Sequence, residues 1–238
     1  AQRSNGGFGL ENSPGKARNS HSVTMNCDEA HWCCTMRGGE GLGRAADYTA
    51  FKKDNELAIP FFRSVKVAEK LNAGDVNIEM STEYPFGNGV SVNVKAAPDK
   101  KITLSLEKTS WMKNYVVKVN GKSVKYDDAD GLAKVTRRFK AGDKLTVSFE
   151  MAPRYEGMVN SENSNPGDFR VMYGPLVLAC GVGDDTNVAY GEEFGGSVRE
   201  SFKGNKSGVV LSPLYHLMSP KVNMAAQPPF SRRIVFTK

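Results

Sequence analysis

Leu145-Thr146-Val147-Ser148-Phe149-Glu150-Met151 alternates apolar and polar residues without a break. Successive side chains of an extended strand point to opposite faces. This stretch therefore turns Leu145, Val147, Phe149 and Met151 to one side and its polar groups to the other. One buried and one wet side is the mark of an antiparallel sheet. The same period runs upstream through Val76, Ile78 and Met80, through Val90, Val92 and Val94, and through Ile102, Leu104 and Leu106. Asn120-Gly121 between Val119 and Val124 is the strongest short hairpin signal a sequence can carry, because a tight two-residue turn needs positive φ at both positions. Phe86-Gly87-Asn88-Gly89, Ala97-Pro98-Asp99 and Ala141-Gly142-Asp143 punctuate the other runs. The expectation is a mostly β chain: an antiparallel sandwich or jelly-roll-like module over 55–180.

The flanks read differently. Val171 to Cys180 is continuously apolar and predicts one strand buried on both sides, with Pro175 at an edge, a bulge or a strand start. Residues 181–238 predict a loop-rich extension, loop to Gly208, with late strands at Val209–Leu211 and Ile234–Phe236. Residues 1–26 are rich in Gly, Ser and Asn and read as loop. Met36, Leu42, Ala45, Ala46 and Tyr48 then fall at rough helical spacing up to Phe51. Gly38, Gly39, Gly41 and Gly43 each cost such a helix about 1 kcal/mol, so it needs close packing against another element. Residues 1–54 are accordingly a loop plus a short helical segment.

The composition is globular, with 39% hydrophobic and 24% charged residues in 238. No apolar run reaches the roughly 18–20 residues of a membrane span, so a membrane is not an expected partner. The net charge of +6 invites a nucleic-acid reading. Its placement argues against one. Lys and Arg sit at the polar positions of alternating stretches, as in Val116-Val117-Lys118-Val119, and form no basic block. Ala1-Gln2-Arg3-Ser4 offers neither an initiator Met nor an apolar signal core, which predicts a processed or truncated chain.

Chemistry concentrates in Cys27-Asp28-Glu29-Ala30-His31-Trp32-Cys33-Cys34. A thiolate is both a nucleophile and a zinc ligand, and a nearby cation lowers its pKa. Cysteine is equally at home as a small buried apolar residue, here beside Trp32. The spacing lacks paired C-x-x-C hooks, so the segment is no self-contained structural zinc site. His31 could be a ligand or proton carrier, or a hydrogen-bonded structural residue. Asp28 and Glu29 could supply a carboxylate or sit on a solvated turn. Tyr126-Asp127-Asp128-Ala129-Asp130-Gly131 fails the calcium-loop pattern, with Tyr126 in the first ligand place and Arg137 in the last, and reads as a hairpin turn. Trp111 and the tyrosines could stack on sugar, but core packing is their default.

His31-Trp32-Cys33-Cys34-Thr35-Met36-Arg37-Gly38-Gly39-Glu40-Gly41-Leu42 resembles the Cys-Cys segment of glycoside hydrolase family 127 (DUF1680), of β-L-arabinofuranosidase type. Tyr115-Val116-Val117-Lys118-Val119-Asn120-Gly121, Phe139-Lys140-Ala141-Gly142-Asp143-Lys144-Leu145 and Tyr173-Gly174-Pro175-Leu176-Val177 resemble its C-terminal β region in the same order. The resemblance runs from about Cys27 to Cys180. It implies an (α/α)6 barrel followed by β-sandwich domains, with residues 1–54 ending the barrel. It implies Cys33 as a nucleophile held as a thiolate on zinc, and Cys34 as a zinc ligand. His31 and Trp32 would then lie near the sugar. The family's remaining ligands and its acid/base Glu lie upstream of the pair, and nothing before Cys27 matches them. Cys27 or Glu29 could stand in as a local ligand. The implied partners are a carbohydrate and the N-terminal helical domain, and the implied compartment is periplasmic or secreted.

Three function classes follow. The first is the C-terminal part of a zinc-thiolate retaining glycoside hydrolase acting on β-L-arabinofuranosides or related plant glycans, inactive as isolated. The second is a non-catalytic β-sandwich that binds carbohydrate or braces a partner domain. The third is a thiol or metal module unrelated to sugars.

Overall fold

The alternating stretches are strands, and their apolar positions form a core. Residues 40–41, 43–157, 167–181, 186–217 and 232–238 are described by a computed structural model of the chain. Two compact units are distinguished, Gly43–Met151 and one that takes in Ala152–Lys238.

The first unit begins with helical turns at 43–47, which end where Tyr48 N–H donates to Arg44 O and Thr49 Oγ1 donates to Ala46 O. Eleven strands follow: β1 (Phe51–Lys53), β2 (Glu56–Ile59), β3 (Val65–Leu71), β4 (Gly74–Thr82), β5 (Gly89–Ala96), β6 (Lys101–Glu107), β7 (Lys113–Val119), β8 (Lys122–Ser123), β9 (Asp127–Ala129), β10 (Leu132–Arg138) and β11 (Lys144–Glu150). They make a five-stranded sheet in the order β1-β2-β6-β10-β9 and a six-stranded sheet in the order β3-β4-β5-β11-β7-β8. Every pairing is antiparallel except β2 with β6, where Leu57 lies beside Leu104 in parallel register.

Leu57, Ile102, Leu104 and Val135 from one sheet share a single buried cluster with Ile78, Val92, Leu145 and Val147 from the other. This is a β-sandwich. Each such side chain contributes roughly 1.5–3 kcal/mol on leaving water, and the alternation that decided the fold is what places them all on one side. The Asn120-Gly121 turn has positive φ at both positions, 50° and 79°, as the hairpin between β7 and β8 demands. Asn120 also ties that hairpin to the next turn. Its Nδ2 donates to Asp143 Oδ1, and its Oδ1 accepts from Lys144 N–H, each at 2.8 Å.

The second unit contains β12 (Pro153–Gly157), β13 (Phe169–Tyr173), β14 (Leu176–Gly181), β15 (Phe194–Gly196), β16 (Phe202–Gly204), β17 (Val210–Pro213) and β18 (Arg232–Arg233). Their order is β12-β13-β14-β17-β16-β15, with β18 paired to β14. Phe169, Val171, Leu178, Phe202, Leu211 and Phe236 are buried in it. The apolar run Val171–Cys180 is two strands rather than one. Gly174, at φ 52°, and Pro175 turn the chain between β13 and β14, and both arms are apolar because Val171–Tyr173 and Leu178–Cys180 are buried. The region expected as loop to Gly208 holds β15 and β16, three residues each. The strand near the end falls at Arg232–Arg233, and Phe236 adds a single bridge to Phe169.

Candidate functional site

The chemistry expected of Cys27, Glu29, His31, Trp32, Cys33 and Cys34 falls on residues outside the described ones. Cys180 lies in β14, buried and outside any disulfide. Among the described residues no group of three or more His, Cys, Asp or Glu could hold a metal ion. Tyr126–Gly131 forms β9 and a tight turn at Asp130 and Gly131, with φ 59° and 73°. Asp128 pairs with Lys108, and Asp130 lies 3.7 Å from Lys134. The segment is a hairpin, as its failure to match the calcium pattern indicates.

Glu107, Asp168 and Glu192 are the buried carboxylates of the described residues, and Glu107 and Glu192 each accept hydrogen bonds from several groups. Glu107 ends β6 and is 6% exposed. Its Oε2 accepts from Phe62 N–H at 2.7 Å and its Oε1 from the Tyr84 hydroxyl at 3.4 Å. Trp111 Nε1–H donates in turn to the Tyr84 hydroxyl at 3.3 Å, so Trp111 packs within the sandwich rather than offering a free ring. The Tyr115 hydroxyl donates to the Glu107 carbonyl at 2.9 Å. Phe62, Tyr84 and Tyr115 surround Phe149 at centroid distances of 5.9–6.0 Å. Burial pushes the Glu107 carboxyl above the usual range, although the Phe62 amide and Tyr84 hydroxyl pull it down. Burial likewise raises the Tyr115 phenol.

Glu192, in the second unit, is satisfied by hydrogen bonds. Its Oε1 accepts from Ala189 N–H and the Ser207 hydroxyl, and its Oε2 from Lys206 and Ser207 N–H, at 2.6–3.0 Å. Burial acts to raise this carboxyl, but these donors outweigh it and hold Glu192 below the usual carboxylate range. Sequence reasoning missed both residues. Glu107 stands at a polar position of the Lys101–Glu107 alternation and reads as solvated. Glu192 stands in a stretch with no period at all. No residue type nearby signals either burial.

The outer side of the six-stranded sheet presents Glu79, Ser81, Ser91, Asn93, Lys118 and Thr146 in adjacent register, with no aromatic ring among them. A stacking platform for sugar is therefore absent from that face of the described strands.

Comparison with known proteins shows what the sandwich is similar to. The family model for the beta-L-arabinofuranosidase GH127 middle domain matches residues 56–151. That stretch is similar to a GH127 middle domain. The match opens on the first residue of β2 and closes on Met151, where the first compact unit also ends. Similarity of fold to solved structures extends beyond that stretch. A GH127 β-L-arabinofuranosidase from Geobacillus stearothermophilus T6 superposes with a TM-score of 0.65 at 17% identity, covering 86% of this chain and 37% of its own. A second GH127 β-arabinofuranosidase gives a TM-score of 0.65 at 18% identity, covering 86% and 38%. A structure described as a glycoside hydrolase gives 0.67 at 16%, covering 92% and 41%. This chain spans about two fifths of the length of these structures. No curated protein matches it.

Proposed function

We propose that this chain is the C-terminal part of a β-L-arabinofuranosidase-type glycoside hydrolase, acting on β-L-arabinofuranosides or related plant glycans. In this reading the GH127 middle domain is a structural module, and the residues that meet the sugar lie in the Cys27–Cys34 segment. The observation that carries it is the match of residues 56–151 to the GH127 middle domain, which stands downstream of the Cys33-Cys34 pair as the family order requires.

Cys33 is the nucleophile of this proposal. Its sulfur bonds to the anomeric carbon while the glycosidic oxygen leaves with a proton from a glutamic acid. Water then attacks the same carbon, the carbon–sulfur bond breaks, and the glutamate takes the proton of the water. Each of the two displacements inverts the anomeric carbon, so the configuration is retained overall. Two adjacent thiols are soft donors of the kind zinc favours, so Cys33 and Cys34 fit that metal, with Cys27 or Glu29 as a local additional ligand. Zinc bound there would keep sulfur deprotonated at neutral pH. No segment before Cys27 resembles the family's acid/base Glu or its other ligands, so this polypeptide alone does not complete the site.

Zinc stoichiometry tests this division of labour. The 238-residue chain is expected to retain well under one equivalent of zinc after dialysis, because Cys33 and Cys34 with a single local additional ligand leave the tetrahedral protein set incomplete. One tightly held equivalent, lost in Cys33→Ser or Cys34→Ser, would show a self-sufficient metal module and overturn the proposal.

A second reading, the middle domain as a non-catalytic brace, has one observation in its favour. Tyr48 and Phe51 stack at 6.1 Å and stand half-exposed at the β1 edge, and Phe61 is exposed as well. Exposed aromatics of this kind suit packing against protein. Under either reading the domain's role is mechanical. Glycan binding that survives Cys33→Ala would instead mark it as a carbohydrate-binding module.

A further inference from the structure

The connection Pro60–Ser64 leaves β2 and enters β3, and its residues do three different things. Phe61 is exposed. Phe62 is buried, with its ring stacked on Phe149 at 6.0 Å and its N–H on the Glu107 carboxyl. Arg63 reaches outward, and its Nη2 donates to Ala45 O at 2.7 Å, within the helical turns at 43–47. One buried carboxyl thus anchors the segment that also holds the end of a helix. Glu107 has no ion-pair partner among the described residues.

We propose that Glu107 is a proton-controlled clamp on the Pro60–Ser64 connection: neutral, it secures Phe62 to the sandwich, and ionised, it favours release of the connection and of Arg63 from Ala45. A carboxylate without a cation in an aromatic cluster is poorly solvated. Any opening that lets water reach it relieves that cost. The closed form therefore binds the proton more tightly than the open form, and opening rises with pH between the two.

The direction of the Glu107 shift agrees with this geometry. Several groups face Glu107. Tyr84 comes from the β4–β5 connection and Tyr115 from β7, with Tyr126 against Tyr115 at 5.6 Å. Lys108, the next residue, stands 5.8 Å from the Tyr115 ring centroid and pairs with Asp128 of β9. The Tyr115 phenol is pushed to higher pH by its burial. The carboxyl is the group that changes charge across the acid-to-neutral range.

Amide hydrogen exchange on the 238-residue chain, corrected for intrinsic rates and run from about pH 4 to about pH 8, spans the ordinary glutamate pKa and the range above it. Protection of the Phe62 amide should fall as pH rises, by at most about tenfold per pH unit, since one proton is linked. The Tyr48 amide, bonded to Arg44 O, should follow it. Glu107→Gln keeps an oxygen for the Phe62 N–H but cannot ionise, so its protection should be flat. A flat wild-type profile, or an equal slope in Glu107→Gln, overturns the clamp. A carbon-13 titration of the wild-type Glu107 carboxyl supplies the check that needs no variant. Its midpoint must fall where protection begins to level off, and a midpoint at the ordinary glutamate pKa contradicts the proposal.

Discussion

Glu192→Ala should destabilise the Ala152–Lys238 unit by about 3–5 kcal/mol. Three backbone N–H groups and one hydroxyl lose their acceptor together, and an unsatisfied buried donor costs about 1–3 kcal/mol before water relieves part of it. A domain's whole stability is about 5–15 kcal/mol, so the loss is large enough to populate the unfolded unit. The site cannot close over the gap, because it is built for a carboxylate. A Cβ on Gly204 would lie 2.5 Å from Glu192 Oε2, and the Tyr155 hydroxyl donates to the Glu192 carbonyl at 2.7 Å. Exchange of the Phe202 and Leu211 amides reports this unit directly. It should speed by two orders of magnitude or more in Glu192→Ala and by less in Glu192→Gln, which keeps one acceptor. Unchanged exchange in Glu192→Ala would show that the hydrogen bonds contribute nothing net.

Leu104→Ala should cost the Gly43–Met151 sandwich about 2–5 kcal/mol, the range for emptying a well-packed aliphatic site. Leu104 is at the centre of β6 and is almost wholly buried, with Leu57 beside it on β2 and Val135 on β10. Both neighbours are held in register by ladders on either side, so the cavity cannot collapse by shifting one strand. Trp111 packs against this core, and its fluorescence in urea gives the readout. The midpoint should drop with little change in slope, because the same surface is exposed on unfolding. A midpoint unmoved by Leu104→Ala would mean that the sandwich interior is not the close-packed core described.

Glu107 and Glu192 contribute opposite pH dependences. Glu192 has a depressed pKa in the folded state, so its contribution is present above the ordinary glutamate pKa and is lost as pH falls through the folded value. Glu107 has a raised folded pKa, so its contribution is full below the ordinary value and is lost as pH rises through the folded one. The Glu107 contribution therefore favours the Gly43–Met151 unit in acid, against the lowered Glu79 and Asp143 carboxyls of the same unit, and the Glu192 contribution favours the second unit at neutral pH.

The β-sandwich was legible because its strands are half-buried. Ile78, Val92, Leu104 and Leu145 each sit between polar neighbours, and period two can mean nothing else over such lengths. Asn120-Gly121 was legible because few residue pairs accept positive φ twice. The parallel β2–β6 pairing was not legible, since alternation gives a face and not a partner. The Val171–Cys180 hairpin was hidden for another reason. Both its arms carry buried residues, which erases the period, and only Gly174-Pro175 marks the turn. The break at 151/152 is equally silent. Leu145–Met151 keeps its alternation to the end, while β12 is partly buried at Pro153, Arg154, Tyr155 and Glu156 alike. For the site, Cys33 and Cys34 lie outside the described residues. Glu107 and Glu192 stayed invisible because a carboxylate becomes buried through tertiary contacts, and no local pattern records those.

The most direct measurement is hydrolysis of methyl β-L-arabinofuranoside, whose alkoxide leaves only with a proton, by the purified 238-residue chain with zinc supplied. With a nucleophilic sulfur but no acid to protonate the leaving oxygen, the chain should release arabinose no faster than its Cys33→Ala variant. Rapid release that disappears on Cys33→Ala would contradict the account, because one polypeptide would then hold the whole catalytic site.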